Sequence, residues 1–125
     1  MTIAIDFDGT CVTHEYPYVG KDIGAVPVLK KLLEKGHKLI LHTMRGEDSI
    51  KPALDWFSEN KIVLYGINYN PTQWKWTNSK KVYAQYYIDD AAVGVPLKYD
   101  GSLSSRPFVD WEKLEDMLKN QYNLL

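Results

Sequence analysis

The chain is almost without cysteine: Cys11 is the single one in 125 residues. An internal disulfide is therefore excluded, as is any metal centre built on a cysteine cluster, and a reducing compartment is expected. Long apolar runs are missing as well. No stretch approaches the roughly 20 residues that cross a bilayer, and Asp6 interrupts the first apolar run before a signal-type core can form. Together these point to a cytoplasmic protein with no membrane partner. An excess of charge of one sign is also lacking. Fifteen basic residues stand against sixteen acidic ones, a formal net charge of −1, which disfavours nucleic acid as a broad electrostatic partner. Neither Gly-x-x-x-x-Gly-Lys nor Gly-x-Gly-x-x-Gly occurs, so a nucleoside triphosphate or dinucleotide cofactor has no support. The three histidines, His14, His37 and His42, lack the spacing of metal ligands. His37 and His42 fall in or beside a strand and are read as structural. For His14 a substrate contact is the lesser alternative.

What is present is a globular composition, 45% apolar and 13% aromatic, in a chain long enough for one core. No repeat or linker divides residues 1–125, which implies a single domain. Thr2–Ile5 is β-branched and apolar, a short buried strand. Cys11–Asp22 has no sustained period and reads as a loop or small flap. Val26, Leu29, Leu32 and Leu33, closed by Gly36, describe an amphipathic helix. The run Leu39-Ile40-Leu41 is a strand covered on both faces. Glu47-Asp48-Ser49 supplies N-capping and favourable charge for a helix carrying Ile50, Leu54 and Phe57, and Asn60 stops it. Lys61–Tyr65 is expected as a short strand, Gly66–Asn78 as a loop and Ser79–Gln85 as a short helix. Tyr86–Ile88 is a further strand, Val93–Arg106 is irregular, and Val109–Tyr122 closes as a helix. Trp74, Lys75 and Trp76 admit a base-stacking role, although loop aromatics of this kind more often pack onto the core. Strands alternating with helices imply an α/β fold: a Rossmann-like, three-layer α/β/α arrangement around a mainly parallel sheet.

Right-handed crossovers place every strand's carboxyl end on one rim. Asp6 and Asp8, Thr43, and Asp89 and Asp90 all sit at such ends. Residues two apart on an extended chain point the same way, so Asp6 and Asp8 face one space. Three carboxylates in a crevice must either keep a proton or share a cation. An all-oxygen shell suits Mg²⁺. With Thr43 and a lysine from the pair Lys80 and Lys81, the set forms a receptor for a transferring phosphoryl group. Arg45 either reaches a substrate anion or is a solvated turn residue. Cys11 is a small core residue with nothing nearby to activate it.

In family order, Asp6-Phe7-Asp8-Gly9-Thr10, Thr43 after its apolar run, Lys81, and Asp89-Asp90 after Tyr87-Ile88 resemble the haloacid dehalogenase-like superfamily of phosphohydrolases. The resemblance spans residues 6–90. It implies Asp6 as nucleophile, Asp8 as general acid/base, and Thr43 and Lys81 as phosphate ligands, with Lys81 preferred over Lys80 for its spacing to Asp89. It also implies Mg²⁺ held by Asp6, the Asp8 carbonyl and Asp89. Asp90 either orients a neighbour or caps a helix. The gaps between motifs are too short for a cap domain, so the chain is similar to the capless members, whose open sites take large substrates or close with a partner subunit. Oligomeric state stays open, with a homo-oligomer as one option. The expected activity is Mg²⁺-dependent hydrolysis of a small or sugar phosphate. The alternatives are a phosphatase of nucleotides or nucleic-acid ends and a phospho-accepting module without turnover.

Overall fold

The computed structural model describes residues 1–125. Strands β1 (Thr2–Ile5), β2 (Lys38–Leu41), β3 (Gly66–Ile67) and β4 (Tyr86–Ile88) form a parallel sheet in the order β3-β2-β1-β4. Helices α1 (Ala25–Glu34), α2 (Ile50–Glu59) and α3 (Trp111–Asn120) flank it. A separate antiparallel pair, β5 (Leu97–Lys98) and β6 (Phe108–Val109), precedes α3. The expected α/β architecture is present, with no inserted cap.

One apolar cluster of 22 buried residues joins one face of the sheet to all three helices. Ile3, Ile5, Leu39 and Leu41 enter it from the sheet, and Leu29, Phe57 and Leu114 from the three helices. Alternation along a strand turns Ala4 and Ile40 to the opposite face. They are equally buried but stand outside that cluster. The β3-to-β4 connection must cross the whole sheet, since its strands lie at opposite edges. Its regular structure is a 3₁₀ turn, Gln73–Lys75.

Several local expectations are corrected: the stretch expected as a loop from Gly66 opens with strand β3, paired to β2, and the stretch expected as irregular from Val93 contains strand β5, paired to β6. Residues 61–65 form no strand, because the chain leaves α2 through Lys61 in a left-handed conformation (φ 58°) and Ile62 N–H still bonds to the Phe57 carbonyl. Pairing with β2 starts only at Tyr65 N–H, which donates to Leu39. Residues 79–85 form no helix. The Gln73 amide donates to the Ser79 and Lys81 carbonyls and accepts from Tyr83 N–H, occupying groups that a helix would use itself. The last helix starts at Trp111, capped by Asp110, which accepts Lys113 N–H at 3.1 Å. Val109 belongs instead to β6.

The register decides the site. Ile5 lies opposite both Leu41 and Ile88, so β1, β2 and β4 end level and their next residues emerge on one rim. From β1 the chain moves to β2 on one side, while β4 lies on the other, which is the switch point where open α/β sheets hold ligands. The C-terminal segment is fastened to that rim by two bonds: Val109 N–H to the Gly9 carbonyl at 3.0 Å and Trp111 Nε1–H to the Thr10 carbonyl at 2.7 Å. Trp111→Phe keeps most of the packing but orphans a buried carbonyl. Urea unfolding should show a loss of about 1–3 kcal/mol.

Candidate active site

A cleft of about 440 Å³ opens at this rim, lined by Asp6, Asp8, Thr43 and Arg45, by Asp89, Asp90 and Ala91, and by His14, Tyr16, Met44 and Arg106. A larger groove of about 1040 Å³ lies elsewhere, between α1 and α3. Its lysines and glutamates neutralise one another, as Lys31 and Glu115 do at 2.5 Å, and it lacks a convergent reactive group.

Carboxylate oxygens of Asp6, Asp89 and Asp90 lie within 4.8 Å of one another. Local chemistry produces this grouping. Thr10, fully buried, accepts Asp90 N–H on its hydroxyl at 2.9 Å. Its own single proton serves either Asp6 at 3.1 Å or Asp90 at 3.0 Å. Asp89 turns back to accept Ala91 N–H at 2.8 Å. Gly9 is required here for two reasons: its φ is +81°, and a Cβ would stand 2.5 Å from the Asp90 carboxylate. Burial pushes the Asp6 carboxyl from 3.8 up to about 8, helped by its hydrogen bond with Asp90 and the charge of Asp89. Three clustered oxygen donors, one of them unable to ionise unaided, suit a hard divalent cation. Asp90, expected as an orienting or capping residue, is thus a member of the cluster. The Asp8 carboxylate is not; the ligand that the resemblance assigns to this residue is its backbone carbonyl.

Asp8 is held by Arg45. The guanidinium Nε and Nη2 donate to its two oxygens at 2.8 and 2.7 Å. Nη1 donates to the carbonyls of Pro17 and Ser49, and Nη2 also to that of Tyr18. All five guanidinium donors are therefore occupied, and the side chain is 1% exposed. Arg45 is not the solvated turn residue that the sequence offers as one reading, and its donors are all taken up within the protein. It joins the flap, the entry to α2 and Asp8. Each Asp8 oxygen keeps a second acceptor position, and Asp8 still lines the cleft.

Thr43 is where the sequence places it. Its N–H is taken by Asn68 at 2.8 Å and its hydroxyl oxygen accepts Arg45 N–H at 3.1 Å, leaving the hydroxyl proton free for a ligand. The lysines are not brought in. Lys80 is exposed, and Lys81 lines a separate depression with Trp76 and Tyr83, its ammonium 5.7 Å from the Tyr87 ring centre. The Gln73 clamp on the Ser79 and Lys81 carbonyls fixes this segment there. Two residues that sequence reasoning did not assign to the site take part: Arg106, carried in by β6, and Tyr16 from the flap. Nothing near Arg106 in sequence signals this, since its placement comes from a pairing with residue 9. Cys11 is buried and its thiol is pushed up by burial and by the charges of Asp6 and Asp8, in keeping with an inert core residue. His37 bonds the Leu124 carbonyl at 2.7 Å, a structural role. No helix is long and apolar enough to cross a membrane.

Two outcomes follow from this geometry. Arg45→Lys cannot span both Asp8 oxygens and three carbonyls; unfolding in urea should show a loss of about 3–5 kcal/mol, the cost of breaking a buried pair. In the metal-free protein, folded Asp6 keeps its proton up to about pH 8 whereas the unfolded chain releases it near 3.8. The native state then holds more protons between these values, so stability is greatest below pH 4 on this account and falls as pH rises to 8. Asp6→Asn should flatten that slope in thermal melts taken across the range.

No protein-family model and no curated protein matches the chain. Its fold is similar to a solved structure of a conserved protein from Bacteroides thetaiotaomicron, with a TM-score of 0.77 and 34% sequence identity. The match covers 97% of this chain and 91% of that one. At that identity over nearly the whole of both chains, this protein belongs to the same family as the conserved Bacteroides thetaiotaomicron protein.

Proposed function

We propose that the chain is a Mg²⁺-dependent phosphomonoesterase of the capless haloacid dehalogenase-like type, acting on a small or sugar phosphate. The observation that carries the reading is the level ending of β1, β2 and β4, which puts Asp6, Asp89 and Asp90 within 4.8 Å of one another and Thr43 in the same cleft. Asp6, Asp89 and Asp90 would hold the ion, with the Asp8 carbonyl. When bound, Mg²⁺ lowers the proton affinity of Asp6 and offsets the charge of a phosphoryl group.

Asp6 attacks phosphorus with one carboxylate oxygen. The phosphorus–oxygen ester bond breaks, and the phosphoryl group passes to Asp6 as an aspartyl-phosphate. Asp8 must enter the cycle carrying a proton at its second acceptor position, beside the bonds to Arg45, and it gives that proton to the departing alcohol. It then takes a proton from the water that hydrolyses the acyl phosphate. Arg45 keeps that carboxyl aimed through both steps. The Thr43 hydroxyl donates to a phosphoryl oxygen. A chain whose one thiol is buried and unreactive suits a reducing cytoplasm.

A second reading, a phosphatase of nucleotides or nucleic-acid ends, is favoured by one observation. Between Glu59 and Asp89 the sequence has no acidic residue but contains Lys61, Lys75, Lys80 and Lys81. Trp74, Trp76, Tyr69 and Tyr83 in the same stretch are exposed. Exposed aromatics among lysines suit stacked bases.

Phosphate release from a generic aryl phosphate tests the chemistry. Asp6→Asn should abolish it, and Asp8→Asn should lower kcat by about a hundredfold or more. Full activity of Asp6→Asn, or turnover that survives excess chelator, would refute the reading.

A further inference from the structure

The cleft as described has no obvious cation for the substrate. Asp6, Asp89 and Asp90 against one dication leave a formal charge near −1, and Arg45 is consumed by Asp8 and three carbonyls. Lys81, the residue that the sequence offers for this task, lies in a different depression. An anionic phosphoryl group entering such a cleft would meet net repulsion. One positively charged side chain of the lining is still available: Arg106.

Arg106 is exposed, and its guanidinium makes a side-chain bond to a single partner, His14 Nδ1 at 3.3 Å. A guanidinium only donates, so the ring nitrogen accepts, and the other nitrogen of this cleft-lining ring carries the N–H. Four of the five Arg106 donors remain for an anion. The placement is built rather than incidental. Phe108 and Val109 are fully buried, and Val109 N–H bonds the Gly9 carbonyl at 3.0 Å, which ties the segment to the nucleophile loop. Lys21 Nζ donates to the Leu103 carbonyl at 2.7 Å, and Lys21 N–H donates to the Thr13 hydroxyl at 2.8 Å. The strand of flap bearing His14 and the loop bearing Arg106 are thereby cross-linked beside the cleft.

We propose that Arg106, steadied by His14, is the phosphate-binding cation of this cleft, taking the place that the sequence pattern gives to Lys81. The proposal rests on the phosphatase reading for its substrate class, a phosphate monoester dianion, but phosphate binding can be measured without turnover. A planar guanidinium grips two phosphate oxygens at once, as a lysine ammonium does not.

The test is titration of inorganic phosphate into Mg²⁺-loaded protein by calorimetry, beside steady-state hydrolysis of an aryl phosphate. Arg106→Gln should weaken phosphate binding at least about tenfold and raise KM to a similar extent. Lys81→Gln should leave both within about twofold. Mn²⁺ affinity, read by electron paramagnetic resonance, should be equal in both variants and the parent, which shows the acidic cluster intact. Phosphate binding that is unchanged in Arg106→Gln, or lost in Lys81→Gln, overturns the proposal while an active parent enzyme preserves the phosphatase reading. A parent protein that binds phosphate through Arg106 yet never releases it from an ester preserves the proposal and refutes that reading. A parent that binds no phosphate overturns the proposal.

Discussion

The geometry of the cleft depends on the Arg45–Asp8 pair. A guanidinium that is 1% exposed is costly to bury unless every donor is met, and here all five find oxygens, on three separate parts of the chain. Two come from Asp8, two from the flap and one from the start of α2. At the tip of the flap Tyr16, Pro17, Tyr18 and Val19 are all exposed, so apolar packing does little to place it. Its position is set by what its carbonyls accept. Orientation of the Asp8 carboxylate and order in a loop thus come from one residue.

The acidic cluster is organised on the opposite principle. Asp6, Asp89 and Asp90 repel one another, and the fold crowds them through backbone constraints: level strand ends, a left-handed Gly9 and a buried Thr10 hydroxyl shared between two carboxyls. Folding energy from the apolar cluster beneath holds the like charges together. Burial raises the proton affinity of Asp6, and the neighbouring Asp90 and Asp89 add to it; relief by a cation is the chemistry such a site offers. The two halves of the cleft are therefore different in kind, one neutralised internally and one left acidic.

Most of this was legible in the sequence where pattern and backbone coincide. The strand carrying Asp6, the apolar run before Thr43 and the strand before Asp89 have periods that survive without tertiary help, and their common rim follows from parallel connections. What escaped is non-local. Lys81 was assigned by spacing to Asp89, but the side chain of Gln73 replaces the expected helix with a clamped loop and turns the lysine elsewhere. Arg45 reads in sequence as a turn residue next to Thr43; only the fold shows that its partner is 37 positions away. Arg106 lies in a stretch of Gly, Ser and Pro without period, brought in by a pairing no local rule encodes. Asp90 could not be separated from a capping role until Thr10 was seen to grip it.

The bonds that complete the cleft join residues far apart: 37 positions for Asp8 and Arg45, 80 for Thr10 and Asp90, 92 for His14 and Arg106, and 101 for Thr10 and Trp111. No fragment of the chain contains the site, and no sub-structure can assemble it early. The cleft therefore exists only when segments from both ends of the chain are in place together, each bond closing a long loop at an entropic cost. It should lose its shape together with the sheet, so that the geometry around Asp6 reports on the integrity of the entire chain.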